Sequence, residues 1–214
     1  SFGQYHDPTK IHFGALRVLN DDKVDAGMGF GTHPHDNMEI ITIPLFGDLH
    51  HRDSTGRDCI IKEHDVQIMS AGSGIKHSEV NPNKDKRVEL FQILIFPKER
   101  NITPRYDQKS FLPEDRVDQL LTVVSPNEPG TLFINQDAWL SLGHFKKPFT
   151  TNYPMHQAGQ GLFAICVEGT CTVGGQILGR RDAVGISGVE AVQIEATAGS
   201  DLLLIEIPHF TTKA

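Results

Sequence analysis

The chain has 214 residues, about 1.4 times the ~150 taken as a soft prior for one domain, so one large or two small domains fit. Lys and Arg total 20 against 27 Asp and Glu, a formal charge of −7, which argues against a direct nucleic-acid binder that needs a basic surface. The longest uninterrupted apolar run, 162–167, is far short of the ~20 residues that span a bilayer, so no membrane association is expected.

The three cysteines, Cys59, Cys166 and Cys171, form no C-x-x-C pair, which disfavours a disulfide framework or a thiolate zinc site and points to a reducing, cytoplasmic compartment. The start at Ser1, without methionine, is read as a trimmed form.

Twenty glycines and 12 prolines cut the chain into short apolar segments, the pattern of an all-β protein. Strands are expected at 39–45, 66–69, 88–96, 120–124, 161–167, 184–186, 192–195 and 202–207, each rich in Ile, Val, Leu or Phe. Residues 115–121 are compatible with a short helical turn behind Pro113 and Glu114. The polar stretch 98–107, with Pro104, reads as an interdomain connection between two strand-rich halves. The halves share an order of landmarks. Ile40-Ile41-Thr42-Ile43, Gly47, Asp65-Val66-Gln67-Ile68 and the apolar run ending at Pro97 are echoed by Phe163-Ala164-Ile165-Cys166-Val167, Gly169, Asp182-Ala183-Val184-Gly185-Ile186 and the run ending at Pro208. A duplicated β unit, hence two similar barrels with domains at 1–110 and 111–214, is the expected architecture.

Chemistry concentrates in the first half. In His33-Pro34-His35 two imidazoles stand two residues apart, so on an extended backbone both leave the same face. Glu39, four residues beyond His35, faces the same way if the strand continues without a bulge. Downstream, Gly72-Ser73-Gly74 leads to His77, Glu79 and Asn81 at period two, a second ligand-capable stripe. The plainer reading, a surface loop around Pro34 and a turn-capping His77, suits any one histidine better than it suits the joint pattern. Of His50 and His51 at most one can point inward, and His50 is expected in solvent; His64 is expected exposed, and His6, His12, His144 and His209 structural.

These residues carry a family resemblance. Gly27-x5-His33-x-His35-x3-Glu39 is similar to the first cupin motif and Gly74-x2-His77-x3-Asn81 to the second, although Gly47 comes one residue late and Gly72 stands where proline is common. Within the cupins the chain resembles the pirin family. The match runs through Phe13-Gly14-Ala15-Leu16-Arg17-Val18-Leu19-Asn20-Asp21-Asp22, His33-Pro34-His35-Asp36-Asn37-Met38-Glu39, His50-His51-Arg52-Asp53-Ser54 and Met69-Ser70-Ala71-Gly72-Ser73-Gly74-Ile75-Lys76-His77-Ser78-Glu79.

The resemblance implies two cupin (double-stranded β-helix, jelly-roll) barrels packed together, with one divalent transition metal in the N-terminal barrel. Its ligands would be His33, His35, His77 and Glu79; many other cupins would use Glu39 as the carboxylate, and both glutamates are present here. Iron(II) is the expected ion, with Ni, Cu, Mn, Co and Zn compatible with the donors. In the second half, the positions matching His33 and His35 are Met155 and Gln157, with His156 between them on the other face, so no metal is expected there.

Resemblance to the bacterial quercetinases of the family implies a quercetin 2,3-dioxygenase-like oxidoreductase that cleaves a flavonol or similar enediol with O2, releasing carbon monoxide, with Glu79 as the catalytic base. The alternative implied by pirins of higher organisms is a metal- or redox-sensing regulator acting through a protein partner; a third reading is a binding module without chemistry. The family suggests a monomer.

Overall fold

The computed structural model describes residues 12–209. His6 lies outside them. The strands, in chain order, are β1 Leu16–Val24, β2 Gly29–His35, β3 Glu39–Phe46, β4 Leu49–Asp53, β5 Asp58–Ile61, β6 Asp65–Ser70, β7 Ile75–Val80, β8 Val88–Ile95 and β9 Arg105–Ser110. After a 3-10 turn at Pro113–Arg116 come β10 Leu120–Ser125, β11 Leu132–Phe133, β12 Trp139–Phe145, β13 Phe149–Pro154, β14 Gln160–Glu168, β15 Cys171–Val173, β16 Gln176–Leu178, β17 Ala183–Ser187, β18 Ala191–Ala196 and β19 Ser200–Pro208. Each strand expected from the sequence is present, extended by a residue or more at one or both ends except at 88–96, where the strand stops at Ile95. The described residues form two compact units, one holding His12, Leu16–Phe111 and Ile134–Gln136, the other Phe13–Ala15, Leu112–Phe133 and residues 137–209.

In the first unit a five-stranded sheet, β1-β8-β3-β6-β9, faces a four-stranded sheet, β2-β7-β4-β5. All pairings within the two sheets are antiparallel. Val18, Ile40, Met69 and Leu94 of the larger sheet share a buried cluster with Ile75 of the smaller, and Val24, Val88 and Leu90 share another with Leu49 and Ile61. Each such fully buried aliphatic side chain contributes roughly 1.5–3 kcal/mol, which is what holds the two sheets face to face. The second unit repeats the plan with β11-β10-β12-β19-β14-β17 and β13-β18-β15-β16, its core running from Leu162, Leu202 and Leu204 to Val173, Val192 and Ile194. Two facing sheets with this strand interleaving make each unit a jelly roll, and the protein all-β.

Three local expectations need correction. The polar stretch 98–107 is not a free connection: from Arg105 it forms β9, the edge of the five-stranded sheet, paired to β6 from Ser70↔Arg105 to Asp65↔Ser110. An edge strand has one neighbour and exposes much of its length, so it can be polar, and its composition resembles a linker. The helical turn lies at Pro113–Arg116 rather than 115–121, because Leu120 and Leu121 pair with Gly143 and Leu142 in β10. Glu39 does not continue the strand of His35. The chain turns at Asn37, whose φ is +47°, and enters the other sheet as β3.

Candidate metal centre

The site grows from the register of the four-stranded sheet. In the β2–β7 pair His33 stands opposite His77 and His35 opposite Ile75; in the β4–β7 pair Asp53 stands opposite His77 and His51 opposite Glu79. Alternation along β7 buries Ile75, His77 and Glu79 and exposes Lys76 and Val80, so the period-two stripe read from the sequence faces the interior. A bulge between Phe30 and His33 resets β2 so that His33 lands beside His77. Gly29 lets β2 come this close, since a Cβ there would sit 2.2 Å from the Glu79 carbonyl oxygen.

His33, His35 and His77 come together, with ring centroids 4.4 to 5.0 Å apart and one nitrogen of each within 4.8 Å of the others. His33 Nε2 and His77 Nε2 are 2.9 Å apart. His33 Nδ1 lies 2.8 Å from the Gly31 carbonyl oxygen, which can only accept, so Nδ1 carries the proton and Nε2 offers a lone pair in the neutral ring. Burial, then the neighbouring His33, His35 and His51, hold His77 far below its ordinary value, at about 3, and burial followed by His33 lowers His35. Both rings are therefore neutral at pH 7, the form that binds a metal. His77 Nδ1 is buried without a hydrogen-bond partner.

Glu79 is not within reach of all three imidazoles; it groups with His77 and with His51, whose side chain is fully buried. Its carboxylate accepts from Gln92 Nε2 at 2.6 Å and Thr42 Oγ1 at 3.3 Å, two donors on the facing sheet. Burial, with Asp22 adding to it, pushes the Glu79 carboxyl up to about 7 against the opposing pull of those two hydrogen bonds. His51 is oriented by Asp53 at 3.1 Å and packs on Tyr106, while His50 turns outward to Asp58. Glu39 lies elsewhere: it accepts from Ser70 Oγ at 2.8 Å and the Asn135 amide at 3.2 Å, on the face of β3 opposite to Thr42. Register thus removes it from the imidazole cluster. Thr42, Gln92 and Asp53 were not singled out from the sequence. A lone polar residue inside an apolar run, as in Ile-Ile-Thr-Ile and Leu-Phe-Gln-Ile, was the available signal.

The donor set fits a divalent transition metal. Nitrogens bound to one ion at about 2.1 Å and at a right angle would be about 3.0 Å apart, close to the spacing of His33 and His77. Three imidazoles beside a carboxylate suit iron, nickel, copper, manganese, cobalt or zinc alike.

In the second unit, His156 is stacked on Trp139 with centroids 4.4 Å apart, and its Nδ1 is 2.7 Å from the buried Glu206. His144 pairs with Asp201 and His209 packs on Phe13. His64 is half-buried.

The family model for pirins matches residues 1–95, and that for the quercetinase C-terminal cupin domain matches residues 122–207. A quercetin 2,3-dioxygenase of Escherichia coli strain K12 is 41% identical over 211 residues, covering 97% of this chain and 89% of the relative. The chain belongs to the pirin family. The pirin-like protein of Caulobacter vibrioides is 36% identical across 96% of this chain and 89% of its own length. Among solved structures, the E. coli bacterial pirin YhhW in complex with nickel(II) superposes with a TM-score of 0.92 at 39% identity, covering 98% of this chain and 90% of that one. The two jelly rolls of this pirin are accordingly cupin domains.

Proposed function

We propose that this pirin is a metal-dependent dioxygenase acting on a flavonol or a similar enediol, with His33, His35 and His77 holding a divalent transition metal ion and Glu79 completing the site. The observation that carries the reading is the convergence of three imidazoles on one inner wall beside a buried carboxylate. It is supported by relatives named quercetin 2,3-dioxygenase and by the nickel(II) complex of the E. coli pirin. Iron(II) is the ion we favour, nickel(II) being the next.

Bound there, the ion supplies Lewis acidity, lowering the pKa of the substrate hydroxyl beside a ring carbonyl. The chain's own residues do the rest. The Gly31 carbonyl fixes the His33 ring and directs Nε2 inward. Glu79 takes the hydroxyl proton on a carboxylate oxygen, and Gln92 and Thr42 hold that carboxylate in place. The buried walls around His51, His77 and Glu79 exclude water and strengthen each of these interactions.

The test compares metal content and quercetin-dependent oxygen uptake for the wild type and the His33→Ala, His77→Ala double variant. Loss of both is expected. Retention of both in the double variant would overturn the assignment. A wild type that loads metal, shows no turnover on flavonols and binds a protein only in one metal oxidation state would favour the regulatory alternative.

A further inference from the structure

The inner wall of the five-stranded sheet carries a row of polar side chains that the proposed chemistry uses only in part. Gln92 pairs with Asn20 on one side and Thr42 on the other, Thr42 pairs with Gln67, and Gln67 with Gln108. Residues directly opposite one another share a face. That face is the interior: two residues along the same strands, Ile40 and Met69 pair with each other and belong to the core shared with Ile75.

Most of the row is occupied. Gln92 and Thr42 hold Glu79. Gln108 donates from Nε2 to the Ile60 carbonyl and to Asp65, and its Oε1 accepts from the Tyr106 hydroxyl. Gln67, between Thr42 and Gln108, is 1% exposed, and neither Oε1 nor Nε2 has a hydrogen-bond partner. Among the described residues it is the side chain with two buried polar atoms left this way. Each such group costs about 1–3 kcal/mol, more than a core position tolerates without a use.

We infer that Gln67 is a substrate-binding residue of the site, its amide pairing with a hydroxyl and an adjacent carbonyl or hydroxyl oxygen on the substrate. An amide presents an acceptor and two donors side by side. The matched group must do both, as a hydroxyl-ketone or a catechol edge does: the hydroxyl donates to Oε1 while the neighbouring oxygen accepts from Nε2. Gln67 stands one strand, about 4.8 Å, from Thr42, so the group it reads lies level with the Glu79 carboxylate. The inference rests on the dioxygenase reading above and adds to it the polar edge by which the substrate is oriented.

The test is anaerobic titration of quercetin, and of unsubstituted flavone, into metal-loaded wild type, Gln67→Leu and Gln67→Met, read by the flavonoid absorption band. Metal content and the thermal midpoint of the metal-free proteins are measured alongside. Both variants should bind quercetin about tenfold more weakly or worse and flavone with little change, keep full metal content, and unfold at or above the wild-type temperature, since an unpartnered buried amide has been removed. Unchanged quercetin affinity in both variants would overturn the role of Gln67 and leave the dioxygenase reading standing. A lower thermal midpoint in both would make Gln67 structural and overturn the role as well. If the wild type fails to bind quercetin, the dioxygenase reading falls and this inference with it.

Discussion

His33 and His77 face each other across the β2–β7 register with their Nε2 atoms 2.9 Å apart, although 44 positions separate them in sequence. The pair is the meeting point of the two motifs, and removing either ring leaves the other without its opposite number. His33→Ala and His77→Ala are each expected to weaken metal affinity by more than about 100-fold, beyond the 10- to 100-fold typical of losing a supporting partner. Competition with a chelator of known affinity measures this.

Gln92 donates to Glu79 at 2.6 Å inside the core. Gln92→Leu should cost about 1.5–3 kcal/mol of folding stability, the range for a hydrogen bond to a charged buried group. In a Glu79→Gln background the same change should cost less than half as much. Denaturant unfolding of the four proteins closes the double-mutant cycle, and an undiminished cost in that background would show that the bond is not the source.

The approach of β2 to β7 depends on Gly29, where a Cβ would meet the Glu79 carbonyl oxygen at 2.2 Å and the Val80 Cα at 2.6 Å. Neither obstacle is a flexible side-chain end. Gly29→Ala is expected to push the two strands apart, lower stability by about 2 kcal/mol or more, and reduce metal loading by displacing His33. Gly31→Ala is the control, because a Cβ there meets nothing within 4 Å. Thermal unfolding and metal analysis distinguish the two variants.

Burial raises the Glu39 carboxyl to about 7 from an ordinary 4.5, with Ser70, the Asn135 amide and Arg105 pulling the other way. Between those two pH values the folded chain keeps a proton that the unfolded chain has released. This contribution to stability is therefore whole below about 4.5, falls as pH rises, and is lost above about 7. Its size is on the order of 3 kcal/mol. Glu39→Gln, neutral throughout, should flatten that part of the profile. Denaturation midpoints at pH 5, 6 and 7.5 give the answer, and parallel profiles for the two proteins would contradict it.

The sequence made the strands legible where apolar residues run together, as in β3, β8, β14 and β19, because burial on both faces leaves a continuous apolar signature. Arg105–Ser110 hid as a linker since an edge strand needs little apolar surface. The spacing of His77 and Glu79 was readable because both sit on one unbroken strand. Glu39 was misplaced for the converse reason: spacing of four means a shared face only while the strand lasts, and the turn at Asn37 ends it. Thr42 and Gln92 act from the opposite sheet, and no local pattern states which strands will face each other.

His77 and Glu79 occupy alternate positions of β7, so their separation is set by the pleat of a rigid segment rather than by any loop. A one-residue slip of that strand's register would invert it, presenting Lys76 and Ser78 to the interior and turning both functional groups to the outside. Diversification of this scaffold is thus confined to replacing side chains along an unbroken ruler.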